Sequence, residues 1–400
     1  VSDPDPRAPR VIFFVFITVF LDLLGFGIII PLLPFYVRSL GGSAETVGFI
    51  LASFSFTQLV ATPFLGRLSD RMGRRRVILV SLAGNAAAMG LFALATHTSL
   101  LWMLFVSRIL AGATAGNLAA CQAAIADVTK GEARAAGMGR LGAGIGLGMV
   151  LGPVLGSSVS HIGPWAPPLA AAAMALADLV GAFFLMPETR APQPTACAAT
   201  GPTTTLWETL TQRRLVTVLL LYLTTFLYLT NMQVALALLT NARLGWTAKE
   251  IGHVFALFGL TSLVVQGGLI GRLTRAFGSI PLVIVGSLTS ATGLTVIALS
   301  YHAAPLVLGF LLLALGLGMV TPSLSTIAAE YAGSERQGAV LGFAQSSGGL
   351  ARTVGPMFGG LLFARVATGA PFFAGAASAL VAAGLAVSLA VGAKRSGAAS

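Results

Sequence analysis

The sequence predicts an all-α polytopic membrane protein of twelve transmembrane helices, arranged as two pseudo-symmetric six-helix bundles. Composition is the first reason. Of 400 residues, 56% are hydrophobic and 9% charged, against roughly 25% charged in ordinary globular proteins. A spanning helix takes about 20 apolar residues, so the chain has room for about a dozen. The second reason is where the basic residues fall, and the third is an internal duplication.

Residues 1–10 form a short polar arm. The apolar run that follows is too long for a secretory signal, carries Asp22 at its centre and lacks a small-residue cleavage site, so 11–36 is read as the first span. Further spans are expected near 45–65, 76–96, 100–127, 136–160 and 165–187, completing a first bundle over 11–188. A linker rich in Thr, Pro and Ala occupies 189–213. The second bundle, 214–393, holds spans near 215–240, 248–270, 280–300, 304–329, 338–364 and 371–393, and a short tail follows at 394–400.

Charge tests that count. With the N-terminus inside, 18 of the 24 basic residues fall on the cytoplasmic side and 4 outside (Arg38, Arg243, Lys249, Arg365), leaving Arg108 and Arg352 within spans. A missed helix would scramble this split, so both termini are expected in the cytoplasm of a cell-membrane protein. The +11 net charge is thus topological, and no nucleic-acid partner is expected.

The duplication shows at three landmarks. Gly66-Arg-Leu-Ser-Asp70-Arg71-Met-Gly73 returns as Gly271-Arg-Leu-Thr-Arg-Ala-Phe-Gly278, offset 205. Asp127 answers to Glu330, offset 203. The stripe Gly144, Gly148, Gly152, Gly156 with Pro153 returns as Ser347, Ala351, Gly355, Gly359 with Pro356. A six-helix unit repeated in one orientation points to a transporter whose halves rock about a midplane site. Small residues every fourth position let another backbone approach closely. Two matching stripes, each with a mid-span proline that softens its helix, suit helices that bend or slide at a gate. Tight static packing is the alternative.

Ionisable residues within hydrocarbon mark function by default. Asp22 lies near mid-membrane and is the candidate proton carrier, with Arg108 one long side chain away to tune it or to anchor substrate; a fixed structural ion pair is the alternative. Asp178 is a pathway candidate or a packing hydrogen bonder, and Arg352 a pathway candidate or a structural contact beside Gly355-Pro356. Gln58, Gln122, Asn231, Gln233 and Gln345 add uncharged polar groups within spans. Arg108 and Gln122, fourteen residues apart, share a helical face from which Asn117 points away. So few charges suit a small amphiphilic or lipophilic substrate.

Nothing predicts catalysis. There is no Gly-x-x-x-x-Gly-Lys-Ser/Thr loop, no nucleophile motif and no metal-ligand spacing, and Cys121 and Cys197 make neither a disulfide framework nor a metal site. Neither metal nor cofactor is expected.

These residues together resemble the major facilitator superfamily over the whole chain. Gly66 to Arg76 looks like its signature between the second and third helices. Leu21-Asp22 with Pro31, Arg108 with Gly112 and Gly116, and Gly139, Gly148, Gly152-Pro153 and Gly156 are similar to the signatures of its twelve-helix drug:H⁺ antiporters, within which the tetracycline exporters are most alike. Ser157 replaces the closing glycine of the last pattern, Ala88 lies near the place of a third-span acid of those exporters, and the ninth span has no acid. The resemblance implies proton-coupled efflux by alternating access. It also implies a cytoplasmic latch of Gly66, Asp70, Arg71, Gly73, Arg74 and Asp127, with Asp70 facing the N-terminus of the eleventh helix. The expected partners are an amphiphilic small molecule, protons and the lipid bilayer, around a monomer. A facilitator or lipid exporter of the same fold, and a non-transporting receptor or scaffold, are the competing readings.

Overall fold

The computed structural model describes residues 7–189 and 211–397, so residues 1–6 of the predicted arm, 190–210 of the linker and 398–400 of the tail lie outside it. Among the described residues there is helix and no strand. The first predicted span is two helices, α1 (Ala8–Ile29) and α2 (Leu33–Ser39). Pro31 separates them, and Pro34 opens α2 where its missing N–H is harmless. The next are α3 (Ala44–Met72), α4 (Arg74–Thr98), α5 (Leu101–Ala113), α6 (Asn117–Val128), α7 (Gly131–Val159) and α8 (Ala166–Leu185). Thr114–Gly116 interrupts the fourth span between α5 and α6.

After the linker come α9 (Arg213–Leu244) and α10 (Ala248–Val264), then a π-helical turn (Val265–Leu269) leading into α11 (Ile270–Phe277). The chain closes with α12 (Ser279–Leu299), α13 (Ala303–Arg365) and α14 (Ala370–Gly397). Within the described residues, 11 helical stretches are long and apolar enough to cross a membrane.

Predicted spans ten and eleven fall within the single element α13. It nevertheless holds two passes. Ser325 Oγ lies 3.2 Å from the Tyr222 hydroxyl, and Ser347 Oγ donates to Leu219 O at 2.7 Å, so both meet one turn of α9. A straight helix would set those serines about 33 Å apart at 1.5 Å per residue. The chain therefore doubles back between them, and Leu324 and Ala344 share one buried cluster.

Two compact units are present. One takes the described residues of Val1–Gly42, Ser53–Ala199 and Thr247–Ala256, and the other those of Ser43–Ala52, Thr200–Trp246 and Leu257–Ser400. The start of α3 thus belongs with the second unit and the start of α10 with the first. In the first unit Val11, Val15 and Val19, one helical turn apart, meet Cys121, Ala124 and Ile125. In the second, Val218 and Tyr222 meet Val283, Val320 and Ala386. Within lipid such contacts stabilise through close packing, because the surroundings are as apolar as the core.

The duplicated loop has a backbone reason. Gly73 and Gly278 hold φ of 98° and 81° immediately before α4 and α12, a conformation that a side chain resists.

Candidate functional site

Thr18 and Asp22, one turn apart on α1, share a face. Asn85 of α4 donates Nδ2 to Asp22 Oδ1 at 2.8 Å, and Asn117, which opens α6, bonds the same carboxylate. Thr18 Oγ1 donates to Asp178 Oδ1 of α8 at 3.0 Å. Asp178 is buried, and its Oδ2 has no hydrogen-bond partner. The buried thiol Cys121, one turn beyond Asn117, lies within electrostatic range of both carboxylates, and the carboxylates within range of each other. Four spans thus deliver two acids, two amides, a hydroxyl and a thiol to one region of the first unit. A carboxylate centred in hydrocarbon costs about 2.5–3.5 kcal/mol, so acids held there are equipped to take up and release protons.

Arg108 is not part of this group. No ion pair joins it to Asp22, contrary to the sequence expectation. Its guanidinium is 3% exposed, lies 5.0 Å from the centroid of the Phe92 ring, and donates Nη2 to Met89 Sδ and Ser107 Oγ at 3.5 and 3.4 Å. Its Nε has no partner. Tyr36 packs edge-on to Phe92 at 5.4 Å, so an aromatic and thioether cage replaces the expected carboxylate.

Of the expected latch residues, Asp70, Arg74 and Asp127 meet. Arg74, 6% exposed, bonds Asp70 Oδ1 at 2.8 Å through Nη1, Asp127 Oδ2 at 3.0 Å through Nε, and Ser69 Oγ at 3.2 Å. Arg71 ends α3 and is exposed, while Gly66 has open space around it. Glu188 completes the cluster and was not anticipated. Its Oε1 accepts Arg74 N at 2.9 Å and Thr189 N at 3.0 Å, capping α4 where Gly73 has no side chain to do so.

The glycine stripes pack inside their own units. A Cβ on Gly144 would come 3.1 Å from Phe16 O, one on Gly148 2.8 Å from Phe20 O, one on Gly152 2.6 Å from Leu24 O and one on Gly156 2.9 Å from Ile28 O. Every fourth residue of α7 therefore rests on every fourth residue of α1. Gly355 and Gly359 rest likewise on Thr230 and Asn231 of α9. Both stripes make close helix–helix contacts in this structure. Pro153 and Pro356, meanwhile, touch a second pair of glycines. A Cβ on Gly252 would lie 2.9 Å from Pro153 O, and one on Gly48 would collide with Pro356 O.

The remaining polar candidates divide. Asn231 is 4% exposed and donates Nδ2 to Pro371 O at 2.7 Å, which makes it a clamp between α9 and α14 rather than a free ligand. Gln58 and Gln233 are half-buried and Gln122 and Gln345 exposed, with no side-chain hydrogen bond among the described residues. Arg352 lies 4.8 Å from the centroid of Phe226, with Tyr222 stacked beyond.

Two bundles of apolar spans around intramembrane carboxylates and unpaired polar side chains define a membrane transporter. A model described as Major Facilitator Superfamily matches residues 15–236 and 218–398, and the chain belongs to that family. It is 34% identical over 382 residues to the class C tetracycline resistance protein of Escherichia coli, covering 91% of this chain and 93% of that one. The class E tetracycline resistance protein of the same organism is 33% identical over 363 residues, 88% of each chain. The crystal structure of the human organic anion transporter MFSD10 superposes with a TM-score of 0.71 at 28% identity, over 95% of this chain and 100% of that one. A bacterial homologue of the iron transporter ferroportin, in its inward-facing state, superposes with a TM-score of 0.74 at 16% identity, a likeness of fold alone. The chain is thus a multi-pass transporter and not an enzyme.

Proposed function

We propose that the chain exports small amphiphilic compounds across the cell membrane in exchange for protons, by alternating access of its two six-helix halves. The carrying observation is the Asp22–Asp178 region, where Asn85 and Asn117 bond the Asp22 carboxylate and Thr18 holds one oxygen of Asp178, whose other oxygen has no hydrogen-bond partner. Protonation and substrate then act as two ligands that bias one two-state equilibrium, which is what couples their movements. The sequence relatives that confer tetracycline resistance support the export direction. The 18-to-4 distribution of basic residues supports cytoplasmic termini.

Proteoliposomes with an imposed pH gradient test this reading, with a tetracycline and an amphiphilic organic anion as trial substrates. Asp22→Asn is expected to abolish gradient-driven transport while leaving the folded protein and substrate binding intact. Undiminished transport by that variant removes Asp22 from the mechanism. Flux that is indifferent to collapse of the gradient replaces the antiporter with a facilitator.

A further inference from the structure

We propose that a cavity at the α2 end of the first unit is a binding site for a small soluble organic anion, a carboxylate or sulfonate on an aromatic or aliphatic body. This goes beyond the proton-coupled reading and stands without it. The cavity, about 650 Å³, lies in the first unit and is lined from α2, the end of α7 and the start of α10. Its size suits a small molecule. His161, Lys249 and His253 contribute three basic side chains, and no Asp or Glu lines it. All three are exposed, so a solute can reach them. Lys249 forms no salt bridge among the described residues. The adjacent acid, Glu250, is engaged in a capping box: it accepts Thr247 N at 2.8 Å and the Thr247 hydroxyl, closing the first turn of α10.

Leu32 and Phe35 supply the apolar wall that an organic body needs. Tyr36 lines the cavity too, is 5% exposed, and its hydroxyl has no hydrogen-bond partner. A buried hydroxyl left unpaired is costly, and an anion's oxygen would accept from it. Lys249, two imidazoles, an orphan donor and an apolar wall are complementary to one class of ligand, an amphiphilic anion.

The test is equilibrium binding to the intact protein in nanodiscs of neutral phosphatidylcholine, with three probes of one shape: 2-naphthoate, 2-naphthylmethanol and 2-naphthylmethylammonium. The expected result is naphthoate binding at least tenfold tighter than the ammonium, with the alcohol between. The double variant Lys249→Gln/His253→Gln is expected to weaken naphthoate about tenfold and Tyr36→Phe about threefold, without altering the alcohol. Arg38→Gln, which removes an outer charge that does not line the cavity, leaves naphthoate unchanged. Equal binding of the three probes, or a double variant that binds naphthoate normally, overturns the proposal. Nanodiscs containing anionic phosphatidylglycerol decide the source of the anion: loss of naphthoate binding in them would make the occupant a lipid headgroup and sink the soluble-ligand assignment.

Discussion

Glu188 offers the sharpest structural prediction, because one oxygen bonds backbone donors at 2.9 and 3.0 Å, with a third, Arg75 N, at 3.5 Å. Glycine at position 73 cannot cap α4, so the carboxylate does so from 114 residues along the chain. Losing an N-cap costs about 0.5–2 kcal/mol. Removing a negative charge from a helix N-terminus costs about a further 0.3–1 kcal/mol. Glu188→Ala should therefore destabilise the first turn of α4 by about 1–3 kcal/mol, whereas Glu188→Gln keeps an acceptor and forfeits the charge term alone. At tenfold per 1.4 kcal/mol, amide hydrogen exchange across residues 74–80 should rise roughly 5- to 150-fold in the alanine variant and only a few-fold in the glutamine variant. Mass spectrometry of peptides from that segment reads the difference. Exchange within twofold of the parent in both variants would show that the helix does not depend on this cap. Equal effects of Ala and Gln would assign the stabilisation to charge and not to the hydrogen bonds.

Three further perturbations follow the same logic. Gly152→Val places new carbons against Leu24 O and the backbone of Gly27, contacts that cannot swing aside. Overpacking of this kind costs about 1–3 kcal/mol or more, so the thermal midpoint in detergent should fall, while Gly181→Val, with open space around it, should not lower it comparably. Arg243→Ala removes donors to Ala298 O and Ser300 O at 2.8 Å and to Thr368 Oγ1 at 3.1 Å, and the stack 4.3 Å above Tyr301. A loss of about 1.5–3 kcal/mol is expected, seen as faster thermal inactivation and only partly rescued by Lys, whose single ammonium lacks the planar fork. Gly73→Ala forces a side chain into φ of 98° and against the Glu188 carboxylate, so it should reproduce the exchange signature of Glu188→Ala.

Much of the fold was legible because hydrocarbon leaves few options: apolar runs of spanning length dictate where the long helices fall. What stayed hidden required knowing where helices break. The fourth span shows this. Treated as one helix, its fourteen-residue spacing set Arg108 and Gln122 on a common face and turned Asn117 away. In the structure α5 ends at Ala113 and α6 begins at Asn117, so the phase is lost between them. Arg108 is then buried against Phe92, Gln122 is exposed, and Asn117 turns to Asp22. Glu188 escaped for another reason, since a cap supplied from 114 residues away leaves no local motif. Its partner glycine was the only trace.

The duplication also means less for chemistry than for packing. At the offset of 203 set by the glycine stripes, Asp22 corresponds to Thr225, Thr18 to Leu221 and Asp178 to Val381. Where the first unit holds Thr18 and Asp178 in a hydrogen bond, the second has the apolar Leu221, in a buried cluster, and Val381. The same offset pairs Gly148, which rests on the α1 backbone, with Ala351, and Arg352, which lies over Phe226, with Met149. The halves thus share glycine-backed helix contacts and positive-φ loop glycines, while the carboxylates Asp22 and Asp178 lie with Arg108 in the first and Arg352 lies in the second. On the proposed reading Asp22 handles protons and Arg352 attracts anionic substrate, so Asp22→Asn and Arg352→Gln should give distinguishable phenotypes. The first should change the response to pH, and the second the affinity for anionic over neutral substrates. Identical pH and affinity profiles for the two variants would refute that division.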